Sequence, residues 1–331
     1  MNVIIIGKNQ KKIRIDKFII NKITNISRNQ IQKYIKTGSI LVNKNIIKNN
    51  YIIKPYDNIK INIPLKIKEK VNLYPAEKIN IDVIHEDNDI LIINKPPGLV
   101  VHPGNGNQSG TLMNGIKYYL NNSYLYRCGL VHRLDKDTSG ILIIAKNNNS
   151  QKNLNKQFYL KTIKREYRAL IWGKIPNEYG IIEGFIKRDP KNRKKMINSS
   201  FNNHGKYSIT YYNVIERFNK YLTYISCKLG TGRTHQIRVH FKYIGYPIFN
   251  DILYSKRKLF FKKISKKYKF FFKECFKILP RQALHAQSIS LIHPNNGKKY
   301  YFCCPIPDNF NKVLKLCRKL FNHNNIPCNI K

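Results

Sequence analysis

Apolar positions in the first sixty residues fall at helical spacing and then at strand spacing. Ile15, Phe18, Ile19 and Ile23 recur with the period of one helix face. Ser27 followed by Arg28 precedes a second such set, Ile31, Tyr34 and Ile35, and Gly38 closes it, as a residue tolerant of positive φ does. Short strand-like runs follow over 40–43 and 58–63, separated by Asn-rich turns and Pro55-Tyr56-Asp57. Residues 12–63 thus read as one small unit of two helices plus strands. The stretch 64–80 is charged and aperiodic and reads as a linker. From Ile81 the pattern changes to apolar runs broken by glycine, at 90–94, 140–145 and 224–229, and helical spacing returns over 153–160 and 309–321. Strands mixed with helices, without regular βαβ alternation, predict an α+β domain over 81–331, built on a mixed, largely antiparallel sheet.

Composition narrows the class of protein. The chain sets 61 Lys+Arg against 18 Asp+Glu, a formal net charge of +43 over 331 residues. A crowd of Ile, Lys and Asn, residues with AT-rich codons, accounts for part of the lysine excess. Even so, such a cation binds a polyphosphate by releasing its counterions, and nucleic acid is the expected partner. A membrane is not: no apolar run approaches the ~18–20 residues of a span, and no basic amphipathic helix stands apart from the folded segments. The opening residues place apolar side chains ahead of the first lysines, the wrong order for a signal peptide. Cysteines 128, 227, 275, 303, 304, 317 and 328 are odd in number and form no CxxC pair, which excludes an obvious zinc ribbon or disulfide scaffold and suits a reducing cytoplasm.

Four polar segments could carry chemistry. The densest runs from His132 through Arg133, Asp135 and Asp137 to Gly140, just before an apolar run. Cations at Arg133 and Lys136 favour the ionised form of Asp135, and such an anion can attack carbon, take a proton or stabilise a developing cation. A turn-forming Asp in a surface ion pair fits the same residues. Asp135 and Asp137 are spaced to share Mg²⁺, but the surrounding cations oppose a metal, and none is expected. In the second segment, 230–240, glycines and a threonine precede a polar helix start, where backbone can approach phosphate. Arg233 and Arg238 add forked donors, with His235 between them. The third, 164–170, reads as a strand carrying Tyr167 among cations, suited either to stacking on a base or to sheet packing. The fourth, 94–104, is a rigid turn whose Lys95 and His102 are placed to touch RNA or simply to shape a β-turn. An aromatic, lysine-rich stretch over 255–278 fits a helix packed on the core better than an RNA-stacking arm.

The small unit resembles an S4-like RNA-binding domain, on the strength of Arg14-Ile15-Asp16, Ser27-Arg28 and the run 38–43. Residues 81–306 resemble the catalytic domain of the RluA-type pseudouridine synthases. The run His132-Arg133-Leu134-Asp135-Lys136-Asp137-Thr138-Ser139-Gly140 is the specific signature, with 232–240 and Arg281-Gln282-Ala283-Leu284-His285-Ala286 following in order. The S4-like unit together with Val101-His102-Pro103-Gly104, Gly110-Thr111 and Asn114 resembles the subgroup that modifies large-subunit ribosomal RNA. The resemblance implies Asp135 as the catalytic aspartate, Tyr167 as the side chain stacking on the target base, and Arg238 as the partner of Asp135. Arg133, His132, Arg233, His235, Lys95 and Arg28 are the expected RNA contacts. The pattern departs from the family at Gly230, where Glu is common, and at 250–255, departures that bear on loop shape rather than on the chemistry.

The implied reaction breaks the bond from ribose to the base nitrogen, turns the base and rejoins it through carbon five. Nothing is supplied from outside, so no cofactor is expected. The uridine must be flipped out of folded RNA into the site. The expected substrate is large-subunit rRNA or a ribosomal particle, with tRNA as the alternative and no obligate protein partner. A non-catalytic RNA-binding assembly protein is the alternative of a different class.

Overall fold

The structure, a computed structural model, describes residues 2–10, 12–23, 28–63, 75–104, 106–121, 125–201, 204–255 and 264–321. Ser27, most of the expected linker (64–74), Phe260, Phe261 and Cys328 lie outside the described residues. The chain divides into two compact units, Met1–Leu73 and Tyr74–Lys331.

In the small unit, strand β1 (Asn2–Ile5) is followed by helices α1 (Ile15–Lys22) and α2 (Arg28–Lys36), then β2 (Ile40–Val42) and β3 (Asn58–Ile61). The sheet order is β1-β3-β2, antiparallel throughout. β1 lies ahead of residue 12, where the unit was expected to start: Asn2 pairs with Ile61 and Ile5 with Asn58. The helical apolar sets bury Ile15, Phe18, Ile19, Ile31 and Ile35 against Ile40, Ile59 and Ile61. Asp16, in the first turn of α1, is fully buried and accepts hydrogen bonds from Arg14 (2.9 Å), Arg28 (2.7 Å) and Gln32 (2.8 Å), tying α1 to α2. Burial alone would raise its pKa, but the bonds from Gln32, Arg28 and Arg14 more than offset that and hold it at about 2.

The large unit carries β4 (Val83–Glu86), β5 (Ile90–Lys95), α3 (Leu112–Tyr119), β6 (Ser139–Ala145), α4 (Asn148–Leu160) and β7 (Lys164–Trp172). Next come β8 (Tyr179–Arg188), β9 (Met196–Ser199), β10 (Lys206–Phe218), β11 (Leu222–Leu229), α5 (Gln236–Tyr243) and α6 (Lys266–Ile278). β12 (Leu284–Ile292), β13 (Lys299–Cys303) and α7 (Asp308–Phe321) complete it. One sheet runs β4-β5-β6-β12-β7-β11-β10-β8-β9, with β13 added to β12. Its named pairings are antiparallel except β6 with β12, so it is the mixed, largely antiparallel sheet of an α+β protein.

That single parallel contact sets His285 beside Ser139 and Ala286 beside Gly140. Gly140 has φ +115°, and a Cβ there would lie 2.2 Å from the Ala286 carbonyl oxygen, so the strands meet only because the residue is glycine. Residues 75–80 pack on α3. The Pro75 carbonyl accepts from Asn114 (2.8 Å), and the Glu77 carboxylate accepts from the Gly110 amide (2.8 Å). The aromatic stretch forms α6, whose Phe272 is buried with ring centres 5.0 Å from Trp172 and 6.3 Å from Phe249, as the core reading expects. Phe270 faces solvent.

Candidate active site

Asp135 lies on the loop that enters β6, and the surroundings of that loop fix its backbone. Lys95, at the end of β5, is fully buried and donates to the carbonyls of Pro96 (2.7 Å), Leu99 (3.0 Å) and Lys136 (2.9 Å). From the other side Arg281 donates to the Asp137 carbonyl (3.2 Å), Gln282 to the Thr138 hydroxyl (3.3 Å), and His285 Nδ1 meets the Ser139 hydroxyl at 3.0 Å. The Thr138 amide closes the turn onto the Asp135 carbonyl (3.1 Å). The segment 281–286 therefore acts as a backing for the loop.

The helix α5 brings the partner of Asp135. Gln236 shapes the entry to α5: its carbonyl accepts from the Thr231 hydroxyl (2.8 Å) and the Arg233 amide (3.0 Å), and its amide donates to the Ile209 carbonyl (2.9 Å). Two residues on, Arg238 donates from Nη1 to Asp135 Oδ2 (2.9 Å). Its Nε and Nη2 form a fork on Asp251, at 2.7 and 3.0 Å. Burial works against the Arg238 charge, yet the bonds and charge of Asp251, and then Asp135, keep its pKa above that of an ordinary guanidinium. Asp251 is itself fully buried and also accepts from the amides of Leu253 (3.0 Å) and Tyr254 (3.2 Å). Arg238 is thus a fixed cation between two carboxylates, one sealed inside and one facing a cleft.

The cleft encloses about 380 Å³ of empty space, its mouth included, and is lined by Arg133, Asp135, Tyr167, Arg233, His235 and Arg238. Tyr167, on β7, is a buried wall residue; burial raises its phenol pKa, against Arg165 and with Asp135, so it stays neutral at physiological pH. Arg233 donates from Nε to the Tyr207 carbonyl (3.1 Å) and also borders a second hollow with Lys187, Arg188, His204 and Lys206. The arrangement combines an oriented anion, a neutral aromatic wall and cations at the mouth. It suits a flat neutral ring attached to a phosphate-bearing chain.

Of the expected residues, Asp135, Tyr167, Arg238, Arg133, Arg233 and His235 meet in this cleft. Two do not belong to an RNA surface. Lys95 spends its three donors on three carbonyls inside the protein, so it holds the Asp135 loop rather than a phosphate. His132 points away from the cleft, packs on Phe158 (ring centres 4.9 Å) and accepts the Ile143 amide at Nε2 (2.9 Å). Burial, assisted by Arg165, pulls its pKa down to about 3, so it carries no charge for RNA. Arg28 lies in the small unit, where it is engaged with Asp16 through Nε and Nη2 but remains partly open to solvent. The segment 250–255, read from sequence as a matter of loop shape, supplies Asp251 and Tyr254 directly to the site. Tyr254 bonds His235 Nδ1 (2.8 Å) and lies under the Arg238 guanidinium. The Asp and Tyr retained within that otherwise altered stretch were the available signal.

Among the described residues one cluster, Asp87, Asp89 and His293, has the makings of a metal site. Its atoms are already used: Asp87 accepts from the Asp89 and Ile90 amides and meets His85 and His293, while Asp89 accepts from Asn147 and Ser150. It fastens the β4–β5 turn. No described helix is long and apolar enough to cross a membrane.

The profile of an S4 domain matches residues 13–59, and that of the RNA pseudouridylate synthases matches residues 89–243. An uncharacterized RNA pseudouridine synthase of Bacillus subtilis is 37% identical over 317 residues, covering 95% of this chain and 97% of the relative. The ribosomal large subunit pseudouridine synthase D of Buchnera aphidicola subsp. Baizongia pistaciae is 41% identical over 284 residues, 86% of each chain. Among solved structures, human RNA pseudouridylate synthase domain containing 4 superposes with a TM-score of 0.54 at 21% identity, over 72% of this chain and 93% of that one. Human RNA pseudouridylate synthase domain containing 1 does so with 0.53 at 20%, over 74% and 98%. At those identities the likeness is one of fold.

Proposed function

This chain belongs to the RNA pseudouridylate synthase family, and from that premise we propose that it isomerises specific uridines of large-subunit ribosomal RNA, with Asp135 acting on the bond between ribose and base. The observation that carries the reading is the line Asp135–Arg238–Asp251 at a cleft walled by Tyr167. Arg238 sets a fixed cation beside Asp135 and holds one of its oxygens. The other oxygen faces the cleft, where an anion stabilises, attacks or deprotonates the electron-poor ribose. Tyr167 gives the detached ring a neutral surface to rest against while it turns. Isomerisation moves no electrons in or out, so the reaction needs no cofactor.

Arg133 and Arg233 at the cleft mouth take phosphates on either side of the flipped nucleotide, and the S4-like unit adds affinity through cations such as Arg28. The ribosomal substrate is supported by relatives named for the large subunit across several bacteria. The test is pseudouridine mapping of a large-subunit rRNA transcript incubated with wild type and with Asp135→Ala. Discrete new sites with wild type alone, and RNA affinity kept within a few fold in the variant, are expected. Loss of affinity equal to the loss of activity would make Asp135 structural. Sites on tRNA but none on rRNA would overturn the substrate assignment.

A further inference from the structure

Asp135 has two oxygens in different surroundings. Oδ2 is held by Arg238 at 2.9 Å, whereas Oδ1 faces His235 Nε2 at 3.8 Å, beyond hydrogen-bond reach in the free protein. The other nitrogen of His235 is not free to vary. Its Nδ1 lies 2.8 Å from the Tyr254 hydroxyl, and that hydroxyl already accepts the backbone N–H of Met196 at 2.8 Å. Among the described residues Nδ1 is the acceptor left to the phenol hydrogen. The reverse arrangement, Nδ1–H donating to the phenol, would leave that hydrogen with no acceptor among them. The hydrogen of the imidazole therefore resides on Nε2, directed at Asp135 Oδ1. His235 stands at the entry to α5 in the left-handed region, with φ +55°.

We propose that His235 is a positioning residue for Asp135, with Tyr254 fixing its tautomer, and that its Nε2–H closes onto Oδ1 when RNA fills the cleft. The inference rests on the pseudouridine synthase reading of this same site. Closure requires a movement of roughly 0.8 Å to reach an ordinary N–H···O distance of ~3.0 Å. With Oδ2 on Arg238 and Oδ1 on His235, the plane of the carboxylate is set, and a remaining lone pair of Oδ1 is presented to the ribose. A neutral donor suits this task. A second cation opposite Arg238 would lower the basicity of the carboxylate and repel positive charge developing on the sugar. Burial depresses the pKa of His235; Asp135 and Asp251 oppose the shift, while Arg238 and Arg133 reinforce it. Among the described residues these groups, the Tyr254 phenol, and Arg233 and Tyr167 of the same cleft are the charged and titratable side chains around it. Tyr254 stays protonated, its pKa pushed up to about 12 by burial.

The experiment measures single-turnover tritium release from an rRNA transcript carrying [5-³H]uridine, from about pH 5 to about pH 9, with RNA affinity and melting temperature alongside. His235→Ala should lose about 10- to 100-fold in rate with affinity and melting little changed. His235→Gln, whose amide can donate from a similar place, should recover part of that and lack the acid-side fall of wild type. Tyr254→Phe, which frees the tautomer, should keep its fold, slow by roughly 3- to 10-fold and shift that fall. Wild-type rate and pH profile in both His235 variants would overturn the proposal. So would a loss of affinity matching the loss of rate, which would make His235 an RNA contact only. An inert wild type would instead overturn the functional reading on which the proposal depends.

Discussion

Lys95→Met removes the ammonium that ties the Asp135 loop and keeps the length of the side chain. In the wild type three carbonyls share that ammonium, and burial, reinforced by Arg281 and opposed by Asp137 and Asp135, brings its pKa down to about 7. The sign follows from proton counting. Between about pH 7 and pH 10.4 the unfolded chain keeps the Lys95 proton while the folded chain has lost it, so unfolding takes up a proton. Stability of the wild type should therefore rise with pH relative to the variant, by ~1.4 kcal/mol per pH unit and by roughly 4–5 kcal/mol across the window. At and below pH 7 the burial cost of the charge stands against the three bonds. There the variant should be destabilised by only about 1–3 kcal/mol, the cost of carbonyls left without a donor offset by relief of the buried charge.

Urea unfolding of both proteins at several pH values gives the difference directly, and other titrating groups cancel in it. Single-turnover rates at about pH 6, where the ammonium keeps its three bonds, should fall at least about tenfold in the variant because the loop loses its tether, while RNA affinity stays within about twofold. A stability difference flat up to pH 10 would refute the depressed pKa, and an unchanged rate would refute the tether. A large loss of affinity would restore Lys95 to the RNA surface.

Asp251→Asn replaces the buried half of the Arg238 fork with an amide that offers one acceptor instead of two. Breaking a buried pair costs ~3–5 kcal/mol, and with Asp135 still in place we expect about 2–3 kcal/mol, seen as a melting temperature lower by roughly 4–12 °C. The rate should fall with it, and an unaltered melting temperature would refute the clamp. In the small unit, Asp16 has a folded pKa below its unfolded value of ~3.9, so its contribution to stability is present above that value and lost as the pH falls towards about 2. Circular dichroism of the chain and of Asp16→Asn should show this acid-side loss in wild type only.

The site was most legible where its chemistry lies close together along the chain. The run 132–140 places an acid among cations beside a strand, and Arg238 and Tyr167 stand in similarly marked segments. Distance in sequence hid the rest. Nothing local distinguishes a lysine aimed at phosphate from Lys95 enclosed by carbonyls, two of which come from the next few residues and the third from Lys136. Asp251 and Tyr254 read as parts of a loop because their partners lie 13 and 19 residues away across a helix. The fold class followed from the mixture of periods. The order of strands did not, since insertion of β12 between β6 and β7 depends on pairings that no local pattern specifies. β1 carries no local signal of its own, because Asn2–Ile5 gains its partner only at Asn58–Ile61.

Insertion of β12 between β6 and β7 also fixes when the site can exist during synthesis. The small sheet is complete once β3 has left the ribosome, whereas the strand that backs the Asp135 loop emerges roughly 220 residues later. At about 5–20 residues per second that interval is on the order of 10–45 s. In the later part of it, once Trp172 has emerged, the nascent chain carries a finished small unit and an open seam between β6 and β7, whose edges are exposed to wrong partners. Truncation before Leu284 would leave a chain able to form its first core but not its reaction centre.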